Sequence, residues 1–189
     1  MSNYKVAFLS DQADPDLVER LEGCRAEAKK CYQCGKCSAG CPVAFAMDKT
    51  PREIMRYLQN NMLEEALNSH TIWLCATCLT CSERCPQEVN IAEVMESLRI
   101  LAGENRIVAE RRIDIFHQMF LKYVEEFGRV YELGLILGSN LVGLQPFKDV
   151  QFGLPIFTRG KIDPFPPRIE SNTEVKKIFE NVRRRGGNV

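Results

Sequence analysis

The chain is 189 residues long, 45% hydrophobic, with twenty-five Lys+Arg set against twenty-five Asp+Glu. That length and apolar content suit one compact domain or two small ones. The balanced charge excludes the basic excess that draws a protein onto nucleic acid or an anionic membrane surface.

The N-terminal MSNYKVAFLSDQ has an apolar run of only VAFL and no small-residue cleavage pattern, so no secretory signal is expected. The longest apolar stretch, LGLILGSNLVGL from Leu133, is too short for a membrane span and is interrupted by Gly138, Ser139 and Asn140. A cytoplasmic protein is expected. In that reducing compartment nine cysteines point to metal ligands or redox groups rather than disulfides.

In chain order, Asp14-Pro15 is an N-cap followed by proline at N1, and predicts a helix through Leu17, Val18 and Leu21. Residues 1–24 thus read as an N-terminal segment and helix. Thr50-Pro51-Arg52-Glu53 is a capping box with Pro at N1, starting a helix whose apolar face is Ile54, Met55 and Leu58. A further helical turn is expected over Leu63, Ala66 and Leu67, and Asn90-Ile91-Ala92-Glu93 resembles another N-cap. From Val108 to Phe127 runs an amphipathic stretch with Phe116, Phe120, Tyr123, Val124 and Phe127, ending at Gly128 and expected to pack over the core of the preceding segment. Past Leu144, Pro146, Pro155, Pro164, Pro166 and Pro167 predict an extended arm until the apolar face of Val175, Ile178, Phe179 and Val182. Such an arm wraps its own domain or lies along a partner.

Between these elements the cysteines form two matching runs, CYQCGKCSAGCP from Cys31 and CATCLTCSERCP from Cys75. Cys31, Cys34, Cys37, Cys41 and Pro42 recur as Cys75, Cys78, Cys81, Cys85 and Pro86, and the following helices share EIMRYL against EVMESL. This internal repeat suggests two loop-plus-helix units in a pseudo-twofold arrangement. C-x2-C-x2-C-x3-C-P is the run of bacterial ferredoxins, in which three thiolates hold one cubane and the fourth ligates the other. The ligand sets then cross: Cys31, Cys34, Cys37 and Cys85 for a first [4Fe-4S] cluster, Cys75, Cys78, Cys81 and Cys41 for a second. The alternative is zinc on paired C-x2-C knuckles, but the third x2-spaced cysteine and the fourth before proline exceed what a tetrahedral site uses.

Cys24 is left over and reads as a small core residue. His70 and His117 read as ordinary histidines, since the cysteines complete both clusters. Lys36 and Arg84, inside the two loops, are solvated charges, or cations that raise a cluster's potential or meet an acidic partner. There is no G-x-G-x-x-G, P-loop, H-E-x-x-H or Ser-His-Asp constellation, so the chain is expected to conduct single electrons without an active site of its own. A diffusing two-cluster ferredoxin would be shorter and more acidic, which favours a fixed subunit of a larger oxidoreductase.

CYQCGKCSAGCPVAF, TPREIMRYL and TIWLCATCLTCSERCPQEVNIAEVMESLR resemble the C subunit of the soluble heterodisulfide reductase of methanogenic archaea, over roughly residues 25 to 125. The resemblance, which reaches the C-terminal arm only in general character, implies a mainly α fold with an alpha-helical ferredoxin-like domain over 25–128; the repeat and the prolines add two pseudo-symmetric cluster loops and a proline-rich, largely irregular partner-docking arm over 129–189. It implies electron relay from a flavin-containing A subunit to a B subunit that reduces the coenzyme M-coenzyme B heterodisulfide. In the family, bifurcation at the flavin couples this to ferredoxin reduction in methanogenesis, with a hydrogenase or formate dehydrogenase upstream. The C-C-G motifs of the catalytic subunit are absent, as is the plant-type C-x4-C-x2-C module of succinate dehydrogenase. A relay subunit of another dehydrogenase and a zinc-stabilised interaction module are the alternative readings.

Overall fold

A computed structural model describes residues 15–144, 159, 165, 166, 169 and 172–184. Among these the regular structure is helical, with no strand. The chain divides into two compact units, Met1–Glu110 and Arg111–Val189.

In the first unit, α1 (Pro15–Lys30) starts at the expected proline, and Asp14 lies outside the described residues. Its Leu21, Cys24 and Ala28 are buried, and the helix packs on α3 (Pro51–Gln59) and α7 (Ile91–Glu104). α3 (Pro51–Gln59) begins with the predicted capping box: Glu53 N donates to Thr50 Oγ1 (3.4 Å) and Thr50 N to Glu53 Oε2 (2.7 Å). These bonds satisfy amides the first turn leaves open, so the helix starts at Pro51 rather than drifting towards the cysteines. Ile54, Met55 and Leu58 then face inward. α4 (Leu63–Leu67) buries Ala66 and Leu67 as expected, and α5 (Thr71–Leu74) buries Ile72 and Trp73.

Buried Thr71 ties α5 to the segment before α3: its N–H and hydroxyl donate to Asp48 Oδ1 at 3.0 and 2.9 Å, and Lys49 N donates to Thr71 Oγ1 at 3.1 Å. α7 (Ile91–Glu104) is the central element, with Val94, Met95, Leu98 and Leu101 each at most 2% exposed. It starts at Ile91 as the Asn90 signal predicts, but Asn90 makes no side-chain cap. Asn90 Nδ2 is engaged by Glu93 (2.7 Å), and the amide of Ala92 is taken by Ser82 Oγ (3.0 Å) from the second cysteine run.

The second unit contains α8 (Arg111–Phe127), α9 (Glu132–Val142) and α10 (Asn172–Arg184). Of the aromatic face read in α8, Tyr123 and Phe127 pack within this unit, while Phe116 and Phe120 are exposed. Gly128 (φ 80) ends α8, Tyr123 stacks on Phe127 at 6.0 Å, and Tyr131 meets both edge-on.

Within the arm expected to be largely irregular, α9 and α10 are helical, and most of residues 145–171 lie outside the described residues. Gly138, read in the sequence as an interruption, and Gly134 are close-approach positions: a Cβ would stand 2.3 Å from Tyr131 Cδ1 at Gly134 and 2.5 Å from Met119 Cε at Gly138. α10 carries the apolar face expected over Val175 to Val182, though only Phe179 is buried. Its Arg183 makes a two-pronged ion pair with Glu125 of α8 (2.8 and 2.6 Å). Pro166 lies outside any helix, while Pro146, Pro155, Pro164 and Pro167 lie outside the described residues.

Cys24 is 3% exposed, its thiol 4.0 Å from Val94 O, and burial raises its pKa to about 11, partly countered by a hydrogen bond with Ser97. Iodoacetamide at pH 8 should leave Cys24 unmodified in the native protein and alkylate it after denaturation, read by peptide mass spectrometry; native labelling would place it on the surface. Thr50→Ala removes the capping box and should cost about 1 kcal/mol in denaturant unfolding. Leu98→Ala opens a cavity in α7 and should cost about 2–5 kcal/mol in the same measurement.

Candidate metal centre

Each cysteine run folds into a loop with two left-handed residues, Gln33 (φ 65) and Gly35 (φ 82) in the first, Thr77 (φ 50) and Leu79 (φ 62) in the second. These turns reverse the chain between cysteines, and each loop then enters a single helical turn, α2 (Lys36–Ala39) or α6 (Thr80–Glu83), carrying Cys37 or Cys81. Leu79 stands where the first loop has glycine. A left-handed leucine costs about 1–2 kcal/mol, and its side chain is 51% exposed.

A serine after the third cysteine anchors each loop to the next long helix. Ser38 Oγ accepts from Arg52 N at the start of α3, and Ser82 Oγ from Ala92 N at the start of α7, both at 3.0 Å. Both loops are thereby set against helix N-termini, the ends that favour negative charge.

The fold also regroups the eight thiols of the two runs. Cys41 leaves its own run and lines one cavity with Cys75, Cys78 and Cys81, closed by Val43, Met47, Pro51, Ala92 and Met95. Cys85, of the second run, is close enough to the Tyr32 phenol of the first to act on it through its charge, as Cys34 and Cys31 do. That phenol is raised above the ordinary tyrosine range by lost hydration, by its hydrogen bond with Cys34 and by the charges of Cys34, Cys85 and Cys31. Cys37 is close enough to Cys31 to feel its charge. α2 packs on α6, and the Arg84 guanidinium lies on Gly40, where a Cβ would stand 2.5 Å from Nη1.

Burial pushes the Cys37 thiol up, and burial with the neighbouring Cys75 pushes Cys81 to about 11. Cys78 is lowered by its contact with Thr80 Oγ1 at 3.4 Å. Thiols pushed up by burial ionise when a metal takes the charge, since a coordinating thiol is deprotonated outright. The four sulfurs of the second group are spread around a cavity, and no three His, Cys, Asp or Glu side chains among the described residues are grouped to hold one ion. A cubane, with iron at separate corners, fits that donor set better than a single tetrahedral ion.

Two residues that the cysteine spacing does not point to hold the loops from below. Gln59, the ninth residue of α3, donates from Nε2 to Cys31 O (2.5 Å) and Ala28 O (2.9 Å). Arg99, the ninth residue of α7, donates to Cys75 O (3.3 Å) and Thr77 Oγ1 (3.5 Å). Aligning the two halves through their helices would have paired these positions. Of the other candidates in the sequence, Lys36 and Arg84 are exposed. His70 pairs with Glu110 at 2.5 Å, and His117 lies on α8 beside Phe116.

Residues 27–89 match the 4Fe-4S dicluster domain family. The chain is 37% identical over 120 residues to the iron-sulfur C subunit of the CoB--CoM heterodisulfide reductase of Methanopyrus kandleri, covering 64% of this chain and 58% of that protein. It is 37% identical to the C 2 iron-sulfur subunit of the same enzyme from Methanocaldococcus jannaschii, over 53% of this chain and 50% of the relative. To the C subunit of the ferredoxin:CoB-CoM heterodisulfide reductase of Methanosarcina mazei it is 31% identical, over 54% of this chain and 67% of the relative. The matched stretch thus spans little more than half the length of the first two relatives. The chain's cofactors are two [4Fe-4S] clusters. With a 4Fe-4S dicluster match over its cysteine loops and relatives at 31–37% identity, one of them covered over 67% of its length, the chain belongs to the family of heterodisulfide reductase iron-sulfur C subunits.

Proposed function

We propose that the chain is the electron-relay subunit of a cytoplasmic heterodisulfide reductase complex, passing single electrons from a flavin-containing A subunit to a B subunit that reduces the coenzyme M-coenzyme B heterodisulfide. A hydrogenase or formate dehydrogenase would stand upstream, with bifurcation at the A-subunit flavin. Support for this assignment comes from the names of the relatives, which include an H(2)/formate:CoB-CoM heterodisulfide,ferredoxin reductase subunit. No helix among the described residues is long and apolar enough to cross a membrane.

Within this reading, Cys31, Cys34, Cys37 and Cys85 hold the first cluster, and Cys75, Cys78, Cys81 and Cys41 the second. The observation that carries it is the cavity in which Cys41 of the first run joins Cys75, Cys78 and Cys81 of the second. When bound, the clusters supply one-electron transfer without bond making, and four cysteines on each leave no open iron for a substrate. The rest is done by the chain. The crossed cysteines keep the two sites adjacent, and Met47, Met95 and Val43 keep water from the second. The paired serine anchors and left-handed turns support two pseudo-symmetric half-units. Residues 129–189 are assigned to partner docking, and the chain has no active site of its own.

Anaerobically purified protein should contain about eight iron and eight acid-labile sulfide and bleach with dithionite. Zinc with little sulfide would overturn the reading. Cys41→Ser, a change in the first run, should remove the cluster of the second loop and leave about half the iron. Electron flow from flavin to heterodisulfide in the reconstituted complex should be lost in Cys31→Ser and Cys75→Ser; undiminished flow in both would sink the relay.

A further inference from the structure

The two halves of the first unit repeat each other closely enough that their differences are informative. Gln59 and Arg99 occupy the same turn of equivalent helices, and each binds the carbonyl of the first cysteine in its run. Each also reaches the residue two beyond that cysteine: Gln33 Nε2 donates to Gln59 Oε1 at 3.0 Å, and Arg99 Nη2 donates to Thr77 Oγ1 at 3.5 Å. The structural job is therefore the same, but one half does it with a neutral amide and the other with a full positive charge.

Other contributions are more nearly matched. Each loop has a side-chain donor for a cysteine sulfur, Gln33 Nε2 to Cys31 Sγ (3.7 Å) and, once Cys78 is ionised, the Thr80 hydroxyl to Cys78 Sγ (3.4 Å). Lys36, Arg52 and Arg84 are exposed, so water and salt screen them. Arg99 is half-buried and bonded to the loop itself, where a charge is screened less. A reduced cubane carries one more negative charge than an oxidised one, so a fixed cation beside it favours reduction.

Resting on the ligand sets proposed above, we propose that Arg99 sets the potential of the Cys75/Cys78/Cys81/Cys41 cluster above that of the Cys31/Cys34/Cys37/Cys85 cluster. The relay then has a direction. One electron leaves the first cluster and one arrives at the second, with no proton transferred and no bond changed. The first loop faces the donor subunit and the second faces the acceptor.

The test is an EPR-monitored redox titration of the full chain with both clusters, with iron counted in each sample. Arg99→Gln keeps an amide able to reach Cys75 O, as Gln59 reaches Cys31 O, and removes only the charge. It should make reduction at the more positive midpoint about tenfold less favourable, about 59 mV for one electron, and leave the other midpoint in place. Arg99→Lys should stay near the wild-type value, and Gln59→Arg should raise the more negative midpoint by a similar factor.

A purely structural Arg99 would leave both midpoints unmoved in an iron-replete Arg99→Gln protein, and that result overturns the inference, as does movement of the more negative midpoint alone. Should Arg99→Gln lose iron, Gln59→Arg decides: an unmoved lower midpoint refutes the proposal. Wild-type protein without about eight iron would instead refute the two-cluster reading beneath it.

Discussion

A buried thiolate needs a compensating positive charge, and the first unit must bring eight thiols from two short loops into positions where iron can supply it. Cys37 and Cys81 make the constraint concrete, since burial pushes both thiols away from ionisation. Loops of this length cannot hold such positions by themselves. They are pinned from one side by Ser38 and Ser82, which satisfy the first amides of α3 and α7, and from another by Gln59 and Arg99, which take the carbonyls of Cys31 and Cys75.

The same bonds explain why the helices matter beyond filling a core. α3 and α7 present their N-termini to the loops and their apolar faces to each other's neighbours, so loop geometry and hydrophobic packing are secured together. α1 completes the layer by packing against both, with Cys24 as part of that contact rather than of the metal chemistry. The loop positions of Gly35 and Leu79 show how tightly the repeat is held: the second loop adopts the left-handed turn even where a leucine must take it.

The second unit follows a different logic. Its helices are joined by an aromatic cluster of Tyr123, Phe127 and Tyr131, by close approach at Gly134 and Gly138, and by the Arg183–Glu125 pair. Those two glycines are the reason its fold is hard to read from sequence. There they interrupt an apolar run, whereas in the structure their missing side chains make room for Tyr131 and Met119. A glycine that breaks a helix and one that admits a neighbour look alike until the neighbour is known.

In the first unit much was legible, because the signals are local. The capping box at Thr50, proline at Pro15 and Pro51, and the spacing of the eight motif cysteines are properties of a few consecutive residues, and they determined where helices begin and what ligands are offered. Asn90 marked the start of α7 but not its cap, because the hydroxyl that serves it comes from Ser82, eight residues earlier and across a loop. Which unit α8 joins, and that Gln59 and Arg99 reach equivalent carbonyls with unequal charge, were decided only by tertiary structure. Those facts depend on where separate segments meet, and that is set by packing between helices rather than by the preferences of any one stretch.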